Sequence, residues 1–364
     1  MSALANKHGA INLSQGFPDY NPPSELLEAA CSALSEGHNQ YAPMAGLIDL
    51  RLQVGALTKL RHHYDADPET EITIVPGATE AIFCAIQACV NHGEEVIVFD
   101  PAYDCYEPSV TLAGGKTIHL PLQLPNFHID WQQLADSITP ATRMIIINSP
   151  HNPTGSVLNQ QDLERLADIV RDTRIIILSD EVYEYLVYDG QVHHSVLSHA
   201  ELRERSYAIF SFGKTLHATG WKTGYCIAPP ALSRELRKIH QYVCFVAVTP
   251  IQRGLADYLA HHWGQLNLLS GFYQQKRDLF CQGLNQSRFK LIPSAGTYFQ
   301  LADYGEISDM GDLKFSRWLT TEVGVAAIPL SPFYAEKNNN TLVRFCFAKQ
   351  DATLQEALIK LCQI

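Results

Sequence analysis

The sequence predicts an α/β fold in which a large domain carries a mostly parallel sheet covered by helices and a smaller domain is α+β. Three observations lead there. From Glu71 onward, short β-branched runs alternate with helical segments in the order strand, polar loop, helix, the mark of crossover connections. Two of these runs, Arg143–Asn148 and Arg174–Ser179, are almost continuously apolar, as strands covered on both faces are. Beyond about Pro250 helical periodicity dominates before short strands return. A chain of 364 residues accommodates one large and one small domain, set here at 38–262 and at 1–37 with 263–364.

Taken in order, residues 1–40 open with a short apolar segment. The loop Leu13-Ser-Gln-Gly-Phe-Pro-Asp-Tyr-Asn-Pro-Pro23 follows, shaped by glycine and proline. Ser24, ahead of Glu25-Leu-Leu-Glu-Ala-Ala, is read as a helix start with a serine cap. Gln40-Tyr-Ala-Pro-Met-Ala-Gly46 is a second irregular loop, and Leu47–His62 has helical periodicity. Glu71–Val75, Val96–Phe99, Tyr207–Phe212 and Thr223–Ala228 join the two apolar runs as strands, with helices at Ala81–Asn91 and Asn159–Asp172. In the last third, Ile251–His262 and a long segment toward Gln286 read as helical. Strands follow at Leu291–Leu301, Gly324–Pro329 and Leu342–Phe347, and helices at Asp312–Val323 and Thr353–Gln363.

Composition narrows the function classes. Lysine and arginine number 27 against 38 aspartates and glutamates, a net charge of −11 without a basic block, which speaks against a nucleic-acid partner. Nine cysteines, several on apolar segments, fit reduced core thiols in a cytoplasmic compartment rather than a disulfide scaffold. No apolar run reaches the roughly 18–20 residues of a membrane span, and the N-terminus lacks the apolar core of a secretory signal. The histidine pairs lack ligand spacing, so no metal site is expected.

Chemistry concentrates where strands end. Lys214 stands just past the apolar run Tyr207–Phe212, with small residues, hydroxyls and Lys222 after it. Such a lysine is suited to carry an aldehyde cofactor as a Schiff base, with Ser211 and Lys222 suited to hold a phosphate. Asp180 follows Ile175–Leu178 and one serine, where a carboxylate needs a cation as partner; a protonated pyridine nitrogen fits. Asn152 lies on a stiff turn in Asn148-Ser-Pro-His-Asn-Pro-Thr-Gly155. Pro76-Gly-Ala-Thr-Glu80 opens a helix, whose free amides and dipole bind phosphate. Taken singly, each has a plainer reading: a surface-turn lysine, a helix-capping aspartate, a turn asparagine, a simple helix cap.

Together these segments resemble the fold-type-I, pyridoxal-phosphate-dependent aminotransferases. The resemblance rests on the ordered set Asn152-Pro-Thr-Gly155, Asp180-Glu-Val-Tyr183, Ser211-Phe-Gly-Lys-Thr215 and Gly220-Trp-Lys222, and runs from about Asn12 to Arg344. Leu13-Ser-Gln-Gly-Phe-Pro-Asp19, Asn39-Gln-Tyr-Ala-Pro-Met44, Asp104-Cys-Tyr-Glu-Pro108 and Val343-Arg-Phe-Cys-Phe-Ala-Lys349 support it. Within the class the chain looks closest to the kynurenine/glutamine aminotransferases and their bacterial methionine-aminotransferase relatives. The resemblance implies a large domain with a seven-stranded sheet.

It also implies roles. Lys214 binds the cofactor covalently and then moves a proton between substrate and cofactor. Asp180 pairs with the pyridinium nitrogen, Tyr183 and Asn152 hydrogen-bond the ring oxygen, and Tyr103 stacks on the ring. Ala78, Thr79, Ser211 and Lys222 hold the phosphate, and Tyr41 reaches the phosphate site of a second subunit, making a homodimer. Arg344 grips the substrate α-carboxylate, helped by Asn152 and the Gly16 backbone. Two positions depart from many relatives: Lys222 supplies charge without the arginine fork, and Gly213 stands where a serine is common. The segment ahead of the Gly16 loop is shorter than the resemblance implies.

The implied reaction moves the amino group of a neutral or apolar L-amino acid to a 2-oxo acid. No second arginine is recognisable for a side-chain carboxylate. Phe17, Tyr20, Tyr103 and Phe333 are read as a pocket for methionine, glutamine, kynurenine or aromatic side chains, with methionine first. A C–S β-lyase on the same fold is the alternative. A cofactor-binding regulatory module is a third, but it calls for a DNA-binding domain ahead of Asn12 that is not read here.

Overall fold

The computed structural model describes residues 1–336 and 340–364. Strands β1 (Ile11–Asn12), β2 (Ile72–Val75), β3 (Glu95–Asp100), β4 (Lys116–Pro121), β5 (Thr142–Asn148), β6 (Ile176–Asp180), β7 (Ser206–Ser211) and β8 (Gly224–Ile227) belong to the first part of the chain. The second part supplies β9 (Lys290–Ile292), β10 (Phe299–Asp303), β11 (Val325–Ala326), β12 (Ile328–Pro329) and β13 (Leu342–Cys346). One seven-stranded sheet runs in the order β2-β8-β7-β6-β5-β3-β4. Its ladders are parallel from β4 through β7, and β8 alone runs antiparallel to its neighbours. The connection from β7 to β8 is taken up by the turn Phe212–Thr215 and the loop after it, not by a crossover helix lying on the sheet, so β8 returns beside β7.

The apolar runs are continuous because the sheet divides two cores. Met144, Ile146, Ile176, Leu178, Tyr207 and Ile209 point into one, with helix Ala78–Cys89 and Leu236 of helix Pro230–Val243. The alternate residues Ile145, Ile147, Ile177, Ala208 and Phe210 point into the other, with Leu163, Leu166 and Leu255. This period of two buries both faces. Truncating one such residue, Ile177→Ala for example, costs ~2–5 kcal/mol.

The second sheet, β12-β13-β10-β9, is antiparallel, and β1 pairs in parallel with β11. Several details differ from the sequence reading. Leu291–Leu301 is two strands, β9 and β10, and Gly324–Pro329 is split into β11 and β12. The opening apolar segment is a helix, Ser2–His8. Ser24 does not cap: helix Ser24–Ser35 starts behind Pro23, and the Ser24 hydroxyl turns to Glu25 at 3.0 Å. Strand β4 and helices Tyr106–Leu112, Trp131–Ser137 and Pro230–Val243 were not foreseen. β4 lies at the sheet edge, and the last helix buries only a narrow stripe, Ser233, Leu236 and His240.

What positions the site is where the parallel strands stop. Asp100, Asn148, Asp180 and Ser211 are the last residues of β3, β5, β6 and β7. Ligands of such sheets bind beyond these carboxyl ends.

Candidate active site

A cleft of about 640 Å³, part of it open to solvent, lies at that edge. Lys214 lines it from the helical turn that follows β7, facing Asp180 and Tyr183 from the end of β6. Ala78, Thr79, Tyr103, Asn152, Ser211 and Lys222 complete the set of expected residues that it brings together. The Lys214 side chain is partly accessible, while its amine lies deep among protein groups. Burial, joined by the nearby Lys222 and Arg344 cations, lowers it to about 8. Lys214 Nζ donates to Tyr298 Oη at 3.1 Å and to the Gly16 carbonyl at 3.4 Å.

Asp180 shows the opposite imbalance. It is buried, has no cationic side chain in ion-pair contact among the described residues, and burial pushes it up to about 6. Tyr106 opposes the shift by donating to Asp180 Oδ2 at 2.7 Å, and the Val182 amide donates at 3.4 Å. The turn that carries Asp180 and Tyr183 is anchored from behind. Glu181 binds His193 Nε2 at 2.7 Å, and Glu184 binds Arg61 at 2.9 Å and His62 at 3.0 Å. Burial pushes Glu184 up, but the His62 hydrogen bond and the Arg61 charge outweigh it and leave it at about 2.

Asn152 is held from both sides. Its amide N–H donates to Asn148 Oδ1 at 2.8 Å, while Asn148 Nδ2 donates to the Asp180 carbonyl at 2.8 Å. Its side-chain oxygen accepts from Arg344 Nη1 at 2.5 Å. Arg344, buried in the middle of β13, also reaches the Ser14 carbonyl at 3.5 Å and stacks 3.8 Å from the Phe299 ring. Its Nε has no partner, and no carboxylate pairs with it among the described residues. Burial lowers its pKa from the ordinary arginine value. A buried guanidinium with an open donor is a receptor for a carboxylate.

The opposite end of the cleft is built for an anion. Helix Ala78–Cys89 starts at Gly77 without a side-chain cap, leaving amides at a positive dipole end. Gly77 has φ +88°, and a Cβ there would lie 3.0 Å from Lys222 Nζ, so glycine lets this ammonium approach the helix start. Ser211 lies beside them. Gly213 is equally confined: a Cβ would fall 3.1 Å from Thr219 Cα and 3.2 Å from the Ala218 carbonyl.

Three of the residues expected to bind the cofactor or the substrate carboxylate are not part of the cleft lining. Gly16 and Arg344 reach the site through the bonds above. Tyr41 is 83% exposed and packs edge-on against Phe245 at 5.2 Å. Tyr20, expected at the substrate pocket, instead packs edge-on against His217 at 4.9 Å and Phe272 at 5.6 Å. Its ring is drawn away by that aromatic cluster. Phe333 does lie near Arg344, at 5.2 Å. Tyr106, Asn148 and Tyr298 were missed as site residues; the first sits within the Asp104–Pro108 segment that supported the resemblance.

Comparison with known proteins bears on this geometry. The sequence profile "Aminotransferase class I and II" matches residues 8–361. The chain belongs to the class I and II aminotransferases. Methionine aminotransferase of Escherichia coli strain K12 is 47% identical over 364 residues, covering 100% of this chain and 94% of that one. Kynurenine–oxoglutarate transaminase 1 of Mus musculus is 33% identical, covering 99% and 93%. Among solved structures, an E. coli protein identified as having a methionine aminotransferase function superposes with a TM-score of 0.98 at 47% identity, over 100% of this chain and 95% of that one. N-succinyldiaminopimelate aminotransferase of Mycobacterium tuberculosis gives 0.96 at 39%, over 100% and 95%. These aminotransferases share the α/β fold described above.

Proposed function

We propose that this aminotransferase uses pyridoxal 5′-phosphate to move the amino group of a neutral or apolar L-amino acid, methionine first, to a 2-oxo acid by a ping-pong mechanism. One observation carries the reading: a buried amine lowered toward neutrality faces a buried carboxylate without a cation, across a cleft with an anion seat at one end. The residues fit the cofactor on three counts. Asp180 lacks the cation that a pyridinium N–H supplies, Lys214 is an amine neutral enough to attack an aldehyde, and the Gly77–Lys222 cradle suits a phosphate.

When bound, the cofactor supplies a conjugated ring that draws electrons from the substrate Cα. The chain's own residues do the rest. Arg344 forks the α-carboxylate and, through Asn152, aligns it with the cleft. Asp180 would pair with the ring nitrogen, Tyr183 and Asn152 would hydrogen-bond the ring oxygen, and Tyr103 would hold the ring in place. Lys214, lowered to about 8, would be the group that holds and moves the proton of the substrate Cα. Ala78, Thr79, Ser211 and Lys222 would hold the phosphate, and the Gly16 backbone would help orient the substrate.

Phe333 beside Arg344 and the likeness to a methionine aminotransferase support a neutral or apolar side chain. Exposed Tyr41, Tyr242 and Val248, with Phe245 against Tyr41, support a homodimer in which Tyr41 reaches the second subunit's phosphate site. The nine free cysteines support a cytoplasmic setting. The separate seven-stranded and four-stranded sheets support a cofactor-binding domain at 38–262 and a smaller one at 1–37 with 263–364.

A half-reaction screen tests the proposal. Single L-amino acids are mixed with the loaded protein, and loss of its visible band with release of the matching 2-oxo acid is recorded. Methionine and other neutral donors should convert it and aspartate should not. Pyruvate and a thiol released without any acceptor would point to a lyase instead.

A further inference from the structure

We propose that Tyr298 is the positioning residue of Lys214: with the Gly16 carbonyl it anchors the free amine at the cleft. This deepens the reading of Lys214 as the proton-moving base and rests on it. Three chain segments meet here. Lys214 Nζ lies 3.1 Å from Tyr298 Oη and 3.4 Å from the Gly16 carbonyl oxygen, and Tyr298 Oη lies 2.7 Å from that same oxygen.

The proton positions follow from what each group is able to do. A carbonyl only accepts, so the Tyr298 proton is committed to Gly16, and the phenol oxygen is left to accept from Lys214. The two acceptor oxygens are only 2.7 Å apart, so both lie on the same side of the amine nitrogen and tether it from that side. Lys214 lines the cleft while Tyr298 and Gly16 do not, so the tether holds the amine from outside the cleft wall. Both oxygens accept from the neutral amine and from the ammonium alike, so the side chain keeps its anchor as the proton is gained or lost.

The two acceptors are themselves fixed. Tyr298 is fully buried among the rings of Phe299 at 4.9 Å, Tyr183 at 5.1 Å and Tyr273 at 5.8 Å. Burial raises its phenol well above the ordinary range, so it stays neutral. Gly16 reaches it because it has no side chain: a Cβ there would lie 2.7 Å from Phe299 Cζ and 3.5 Å from Tyr298 Cε2. The loop that carries Gly16 therefore anchors the lysine as well as covering its surroundings.

If Tyr298 were only a packing ring, phenylalanine would serve as well, and Tyr298→Phe separates the two roles. In the full-length protein freed of cofactor, the ionisation midpoint of Lys214 is read from trace acetylation across a pH series, with the Lys214 peptide quantified by mass spectrometry. Losing one acceptor disfavours the ammonium, so the midpoint should fall by about one pH unit, the scale of one charge-assisted hydrogen bond. In the loaded protein, kcat should fall about 10-fold or more with KM unchanged, and the isotope effect on a Cα-deuterated donor should grow. Should Tyr298→Phe fail to fold, Gly16→Ala, which pushes the second acceptor away, should shift the midpoint in the same direction. Wild type carrying its cofactor on Lys214, with variants of unchanged midpoint and isotope effect, overturns this proposal alone. Wild type carrying its cofactor on another residue overturns the parent reading and this one together.

Discussion

The Tyr106 hydroxyl donates to Asp180 at 2.7 Å, with both side chains buried beyond the end of β6. It is the strongest of the contacts that oppose the effect of burial on this carboxylate. Tyr106→Phe removes it and raises Asp180 further. Cofactor affinity near neutral pH should then fall by roughly 10-fold or more, the scale of a lost hydrogen bond to a charged group. Equilibrium titration of the visible band checks this.

Asp180→Asn should stabilise the cofactor-free protein while abolishing transamination. The folded-state value, about 6, lies above the unfolded carboxylate value of 3.8. The stability linked to its protonation is therefore full below about pH 4 and lost as pH rises through 6. Thermal melts should place the variant above wild type at pH 8, by on the order of 1–3 kcal/mol, with the gap closing toward pH 4.

Arg344→Ala should leave the cofactor bound and weaken amino-acid and oxo-acid binding together. Loss of a buried, forked carboxylate contact should raise KM about 100-fold. Cofactor loss with intact substrate affinity would show that the guanidinium does something else.

The serine common in relatives should not be tolerated freely at position 213. Its Cβ would press on the Thr219 and Ala218 backbone, which is unable to swing aside as a side chain does. Gly213→Ser should lower stability by ~1–3 kcal/mol and weaken cofactor binding rather than add a useful hydroxyl. Melting curves and cofactor titration read both effects.

How much of this was legible in the sequence depended on how local each signal was. The strand ends announced themselves because an apolar run gives way abruptly to a polar residue, as Ile176-Ile-Leu-Ser-Asp180 does. Motif order then linked Asn152, Asp180, Tyr183 and Lys214. Long-range partners left no such trace: Tyr106 lies 74 residues from Asp180, and Tyr298 lies 282 from Gly16. Nothing in the local sequence marks Tyr298 as the acceptor beside Lys214. Edge strand β4 was missed because its half-exposed pattern lacks the apolar continuity of β5 and β6. Tyr20 was misplaced because an aromatic on a loop has several rings to choose from, and His217 and Phe272 took it.

The central claim is that Lys214 is the residue to which the cofactor is joined. Borohydride reduction of the loaded protein, followed by peptide mapping, fixes and locates that bond. The phosphopyridoxyl group should appear on the Lys214 peptide, and Lys214→Ala should neither show a visible band nor retain the group. A label found on Lys222 or any other lysine, or a Lys214→Ala protein that keeps its band, would contradict the account.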